Sequence, residues 1–215
     1  MKKLLIQCDF DGTILEEDIS FLILEKYARG DWHVFNDLYN AGKINVAEFN
    51  EKAFGLVKAT YEEQMEFIKG KDQLRPGFRE LIALCKNKNI KFVVVSNGFE
   101  YYIEYMFTHL GLPEVEYHAG KVRFNNSRMH IDYINYDGKL LRSGFKDSYT
   151  DKYLGEGYDI IYIGDGMSDL APAKKCRTVF ACKSLVGRCR QAGLSYIPFN
   201  DFHDVILYLN SQGIQ

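Results

Sequence analysis

Short, continuously apolar runs closed by turn residues alternate along this chain with segments whose apolar residues recur every three or four positions. Runs of the first kind, at residues 4–8, 92–95, 159–163, 178–182 and 196–199, have the composition of strands buried on both faces of a parallel sheet. The second kind includes Phe78, Leu81, Ile82 and Cys85, then Phe202, Val205, Ile206 and Leu209. Phe99, Tyr102, Ile103, Met106, Phe107 and Leu110 hold the same spacing for three turns, which predicts amphipathic helices. Strand, helix and strand in this order specify an α/β fold: an open, Rossmann-like parallel sheet with helices on both faces.

Two stretches break the alternation. Between the first strand and the Arg75-Pro76-Gly77 break, about sixty residues lack a strand pattern and carry Ile19, Leu22, Ile23, Tyr27 and Val46, Phe49, Ala53, Val57 at helical spacing. The expectation is a small helical cap, residues 16–74, inserted into a catalytic core formed by 1–15 and 75–215. The second stretch, about 114–142, has Val122 and Phe124, an Asn125-Asn126 turn, alternating Met129 and Ile131, and an Asp137-Gly138 turn, which together predict a β-flap.

Composition narrows the function. Lys and Arg total 27 against 29 Asp and Glu, without long blocks of either sign, so the chain lacks the electrostatic footprint of a nucleic-acid binder. Five cysteines without a Cys-x-x-Cys spacing fit reduced thiols in a cytoplasm and disfavour a structural zinc site. Gln7 and Asp9 interrupt the apolar run after Met1-Lys2-Lys3 too early for a signal peptide, and no stretch reaches the ~18 apolar residues of a membrane span. A cytoplasmic protein without a membrane partner is expected; oligomeric state leaves no trace in the sequence.

Ligands of an open parallel sheet bind at the carboxyl ends of its strands, where the winding direction reverses. The first strand ends on Asp9-Phe10-Asp11-Gly12-Thr13, and residues i and i+2 of an extended chain project the same way, so Asp9 and Asp11 sit together. Such a pair forms a simple turn, or it gathers a cation or proton between the two charges. The second strand ends on Ser96-Asn97-Gly98, where Ser96 either caps the next helix or helps cradle a phosphate. The third ends on Gly164-Asp165-Gly166-Met167-Ser168-Asp169, bringing Asp165 and Asp169 to the same edge. Four carboxylates there suit a hard cation, and oxygen ligands shared with a phosphate suit Mg²⁺. Lys146, nineteen residues before Asp165, opens the preceding helix and is either a solvated surface charge or a phosphate partner.

These residues resemble the haloacid dehalogenase superfamily of phosphatases in its phosphoserine-phosphatase-like branch. Asp9-Phe10-Asp11-Gly12-Thr13 is similar to its first motif, Ser96 to its second, Lys146 to its third and the run from Gly164 to Asp169 to its fourth, in order and over essentially the whole chain. The resemblance implies a helical cap after the first motif and a Mg²⁺-dependent hydrolysis of a small phosphorylated metabolite through an aspartyl-phosphate. Asp9 is then the nucleophile and Asp11 the general acid and base. Asp9, the Asp11 backbone carbonyl and Asp165 hold the metal, with Asp169 supporting it through water. Ser96, Asn97, Gly98, Lys146 and the backbone around Phe10 hold phosphoryl oxygens.

Dehalogenases of the superfamily lack the acid at the position of Asp11, and receiver domains place their acceptor on a later strand without a helical insertion. Transfer of the phosphoryl group to an alcohol, or a non-enzymatic phosphate-binding role, are the alternatives. Substrate choice is expected in the cap. Asp18 stands where phosphoserine phosphatases meet a substrate amine, and also where a helix N-cap belongs. Ala53 stands where those enzymes carry an arginine, which argues against phosphoserine. Lys52-Ala53-Phe54-Gly55-Leu56 is instead similar to methionine-salvage phosphatases acting on an enol phosphate, although the cysteine-rich stretch that those proteins have before the third motif is missing. The many cap aromatics form its small core; Phe54 or Trp32 facing the active site would predict an apolar or thioether substrate group. Leu15-Glu16 and Arg75-Pro76-Gly77 are the candidate hinges.

Overall fold

The computed structural model describes residues 3–125 and 128–213. Its centre is an eight-stranded sheet: β1 (Lys3–Cys8), β2 (Lys91–Phe99), β3 (Glu116–Asn125), β4 (Arg128–Ile134), β5 (Leu140–Leu141), β6 (Tyr158–Gly164), β7 (Thr178–Ala181) and β8 (Ile197–Pro198). The spatial order is β5-β4-β3-β2-β1-β6-β7-β8. The six strands from β3 to β8 in that order run parallel, whereas β4 and β5 pair antiparallel. The predicted β-flap is therefore a continuation of the main sheet, which makes the sheet mixed. Asn126, the second residue of the expected Asn125-Asn126 turn, lies outside the described residues.

Strand alternation sorts the core into two faces. Leu5, Val93, Val95 and Ile160 point to one side and pack on Phe145, Tyr149 and Tyr153 of helix α7 (Phe145–Gly155). Ile6, Val94, Ile161 and Ile163 point to the other, against α5 (Phe78–Asn87), α6 (Glu100–His109) and α10 (Phe202–Ser211). Helices α8 (Leu170–Ala173) and α9 (Lys183–Gln191) share the α7 side, with Leu185 and Cys189 against Tyr162 and Val179.

Between β1 and α5 run four helices and no strand: α1 (Ile19–Tyr27), α2 (His33–Asn40), α3 (Val46–Phe54) and α4 (Tyr61–Ile68). Asn45 with Glu48 and Thr60 with Glu63 form capping boxes, so these starts are written locally in the sequence. An antiparallel bridge, Leu15 to Leu74, joins the two ends of the insertion. The Arg75 guanidinium donates to the carbonyls of Gly12, Thr13 and Asn200 at 2.8–2.9 Å. That end of the connection is anchored to the core.

The apolar residues of the insertion do not form a separate core. Ile19, Ile23, Ala53, Phe54 and Ile68 belong to the same buried cluster as Ile6, Val94 and Phe107, and Phe54 packs edge-on against Phe99 at 4.6 Å.

On the sheet, Glu116 accepts from Tyr153 at 2.8 Å, pairs with Lys91 at 2.7 Å and lies 3.2 Å from His118. The His118 contact first, with Lys91 and Tyr153 outweighing partial burial, lowers its carboxyl to about 2. A folded-state value below the unfolded one stabilises above the ordinary glutamate range and is lost as pH falls toward about 2. Because the side chain is 41% exposed, the contribution is about 1 kcal/mol. Urea denaturation of wild type and Glu116→Gln should show that gap near neutral pH and none at strongly acid pH; a pH-independent gap counts against the ionic origin.

Candidate active site

The chain leaves β1 toward β2 on one side and returns to β6 on the other, so the winding direction reverses beside β1. The carboxyl ends of β1, β2 and β6 meet there. Asp9 follows β1 directly, and its amide donates to the Ile163 carbonyl at 2.9 Å, fixing the two strand tips together. Gly12 turns with φ +73, and a Cβ there would overlap the Asp165 carboxylate and the Lys183 ammonium. Only glycine lets the first loop pass this close to the third.

A cavity of about 310 Å³ opens above these tips. Asp9, Asp11, Lys146 and Asp165 form its floor with Ser96, Asn97 and Gly98, so the residues expected from four separate stretches converge. Asp18 lines the wall, and it also caps α1, accepting from the Phe21 amide at 2.9 Å and the Ser20 hydroxyl at 2.5 Å.

Lys146 is 2% exposed and its Nζ lies 2.6 Å from Asp9 Oδ2 and 2.7 Å from Asp169 Oδ1. The two carboxylates hold its ammonium well above the usual lysine range, overcoming desolvation. It is therefore no surface charge, and one of its three N–H donors is left for the cavity. Burial pushes the Asp9 carboxyl up, and Lys146 pulls against that. Asp165 is pushed up to about 6 by burial first and the Asp169 charge second.

Asp169 lies behind Lys146 and the Asp165 loop. It is fully buried beneath the cavity and accepts four hydrogen bonds, from Lys146 and Tyr162 on Oδ1 and from the Asp165 and Gly166 amides on Oδ2. These use the carboxylate's lone pairs, so Asp169 fixes Lys146 and the loop of Asp165. One oxygen each of Asp9, Asp165 and Asp169 lie within 4.8 Å of one another. Asp9 and Asp165 accept fewer hydrogen bonds than Asp169 and so keep more capacity for a cation. The Asp11 carboxylate lies outside this group: it accepts from the Ile19 amide at 2.9 Å and from the Tyr102 hydroxyl at 2.5 Å. Burial first and Asp18 second push the Asp11 carboxyl well up, with both hydrogen bonds opposing. All-oxygen donors at this spacing fit a hard divalent cation such as Mg²⁺.

Ser96 does not cap α6, whose N-cap is Phe99; β2 runs on through Ser96-Asn97-Gly98, with a register shift before Phe99 pairs Gly120. Ser96 Oγ accepts from the Gly98 amide at 2.9 Å, which leaves its hydroxyl proton for a ligand. Phe10 does not line the cavity: its ring packs on Phe107, and its amide, expected on a phosphoryl oxygen, donates to Asp9 Oδ1 at 2.8 Å.

The roof comes from the insertion. Asn36, Tyr39 and Asn40 form one face of α2, Val46, Phe49 and Asn50 one face of α3, and Phe21 comes from α1. Phe54 and Trp32 are buried elsewhere and do not line the cavity; the aromatics that do are Phe21, Tyr39 and Phe49. Ala53 is buried in the core and also stays clear of the cavity. Asn50 donates to Tyr133 Oη at 2.5 Å and to the Asn97 carbonyl at 3.3 Å, and Tyr133 also donates to that carbonyl. The helix roof is thus tied to the Ser96 loop, a link that sequence patterns did not reveal because Asn50 and Tyr133 come from remote elements. Lys183, 3.5 Å from Asp165, follows an apolar run that carries no sign of it, and its φ of 44 marks it structurally.

A family model described as haloacid dehalogenase-like hydrolase matches residues 6–174. Proteins named 2-hydroxy-3-keto-5-methylthiopentenyl-1-phosphate phosphatase are similar along nearly the whole chain. That of Brevibacillus brevis is 30% identical, covering 97% of this chain and 96% of its own, and that of Geobacillus thermodenitrificans 33%, covering 97% and 96%. Among solved structures, a phospho-aspartyl intermediate analogue of phosphoserine phosphatase superposes with a TM-score of 0.73 at 22% identity, covering 97% of this chain and 99% of that one. A substrate-bound phosphoserine phosphatase gives 0.70 at the same identity and coverage.

Proposed function

Because the chain belongs to the haloacid dehalogenase-like hydrolases and is a phosphatase, we propose that it hydrolyses a small phosphomonoester through an aspartyl-phosphate on Asp9. The observation that carries this reading is the convergence of Asp9, Asp11, Lys146 and Asp165 on one cavity floor. An Asp9 carboxylate oxygen attacks phosphorus as the ester oxygen departs, taking a proton from Asp11. Water then attacks the aspartyl-phosphate and gives its proton to Asp11, releasing phosphate and restoring Asp9. Lys146 and Ser96 hold phosphoryl oxygens, and the prior pairing of Lys146 with Asp9 and Asp169 means that little reorganisation accompanies the reaction.

Asp9, the Asp11 backbone carbonyl and Asp165 would hold Mg²⁺, which supplies charge neutralisation for the nucleophile and the phosphoryl group. Residues 16–74 act as the cap over a core of 1–15 and 75–215. The cavity-lining faces of α2 and α3 and the Leu15 to Leu74 bridge support that division.

For the substrate we propose the methylthiopentenyl enol phosphate of the relatives. Lys146, on the floor, is the one cation among the described residues lining the cavity, so the cap offers no cationic partner for a substrate carboxylate. Phe21, Phe49 and Met167 supply apolar surface for a thioether tail. In an activity panel with Mg²⁺, the enol phosphate should exceed phosphoserine by about 10-fold or more in kcat/KM, the scale of an apolar pocket's selectivity. EDTA should abolish both activities. A preference for phosphoserine would remove the substrate reading, and turnover in EDTA the metal.

A further inference from the structure

We infer that Tyr102 is a positioning residue that aims the Asp11 carboxyl at the oxygen leaving phosphorus. The assignment rests on the proton-donor reading of Asp11 above. Tyr102 projects from α6 into a wholly buried site, with its ring among Phe10, Phe99 and Tyr101 at centroid distances of 5.4–6.2 Å. Phenylalanine would pack there equally well, and a hydroxyl brought into apolar surroundings costs free energy unless it is hydrogen-bonded. This hydroxyl donates to Asp11 Oδ2 at 2.5 Å.

The other oxygen, Oδ1, accepts from the Ile19 amide at the start of α1. The Asp11 carboxyl is thus held by one bond from the helical insertion and one from the core. With only the Ile19 bond it can swing about that contact; with both, the plane of the carboxyl is fixed. Proton transfer within hydrogen-bond reach depends on that orientation. Gly98 makes room for the arrangement, since a Cβ there would overlap both the Tyr102 hydroxyl and Asp11 Oδ2. The glycine expected only to cradle phosphate therefore also accommodates the acid and its partner.

The test exploits what a proton donor does. A p-nitrophenolate departs with little help, whereas the alkoxide of a primary alcohol must be protonated, and kcat/KM reports this first step. Tyr102→Phe, which keeps the ring packing, should lower kcat/KM for a primary alkyl phosphate by about 10-fold and for p-nitrophenyl phosphate by less than about 3-fold, part of what general acid catalysis contributes. Asp11→Asn should show the same discrimination more strongly. Both variants are assayed with Mg²⁺ well below their melting temperatures. Equal losses on the two esters, as a purely structural role would give, or no loss on either, overturn the role of Tyr102 while Asp11→Asn still discriminates. If Asp11→Asn fails to discriminate, the donor reading of Asp11 falls and the role of Tyr102 falls with it.

Discussion

Asp9→Asn should release phosphate more than about 10⁴-fold more slowly than wild type, the scale on which removal of a nucleophile is felt when the rest of a site stays in place. The substitution keeps the volume of the side chain, its acceptor for the Phe10 amide at 2.8 Å and the backbone bond to Ile163. It also takes the charge from the buried Lys146 pair, so a melting curve run beside the assay separates lost chemistry from lost fold. A radiolabelled phosphoryl donor should leave an acid-stable acyl-phosphate on wild type and none on the variant. Release at a tenth of the wild-type rate would leave Asp9 a bystander.

Lys146→Met is the second large effect, and it reaches stability as well as activity. The ammonium sits between Asp9 and Asp169, both nearly or wholly buried. Removing one member of a buried ionic group leaves uncompensated charge, at about 3–5 kcal/mol. Asp169 keeps the Tyr162 hydroxyl and two amides, while Asp9 keeps only the Phe10 amide among these contacts, so Asp9 bears most of the deficit. Its carboxyl, already pushed up by burial, rises further without the lysine. A folded-state value above the unfolded one means that the folded form binds protons as pH falls, so the variant's deficit should shrink on acidification. Denaturation in EDTA across pH checks both parts; a variant as stable as wild type near neutral pH would contradict the buried ionic cluster.

The convergence of the candidate site was largely legible because its residues sit at strand ends, where position follows from period-two geometry. Asp9 and Asp11 needed only the direction of β1, and Asp165 only the end of β6. Side-chain bonding was less legible. Asp11 shares the tip with Asp9, yet its carboxyl turns to Tyr102 and Ile19, because those donors come from helices whose approach the local sequence does not encode. Asp169 reads as an acid that supports a metal through water, and its bonds to Tyr162, Lys146 and the loop amides add an anchoring contact that the local sequence does not encode.

The same distinction applies to the fold. Ser96-Asn97-Gly98 carries turn residues, yet β2 continues through it because pairing with β3 resumes at Phe99 and Gly120 after the irregularity. The flap has the alternation of an independent hairpin, but β3 lies parallel to β2 and so extends the central sheet. Cap aromatics were legible as core formers in bulk and not one by one. Phe54 faces Phe99, while Phe21 and Phe49 reach the cavity, a division set by how the helices dock and not by their periodicity.

The three-carbonyl clamp of Arg75 bears on when the first loop is secured as the protein is made. It holds Gly12 and Thr13 across 63 and 62 positions of sequence and Asn200 across 125. Contacts so remote along the chain are completed late, after the entropy of closing long loops has been met. In a polypeptide still emerging from the ribosome, Arg75 can reach Gly12 and Thr13 early, but the third bond of the clamp waits for the segment around residue 200. The loop that carries Asp9 and Asp11 therefore gains its last tether to the core late in synthesis.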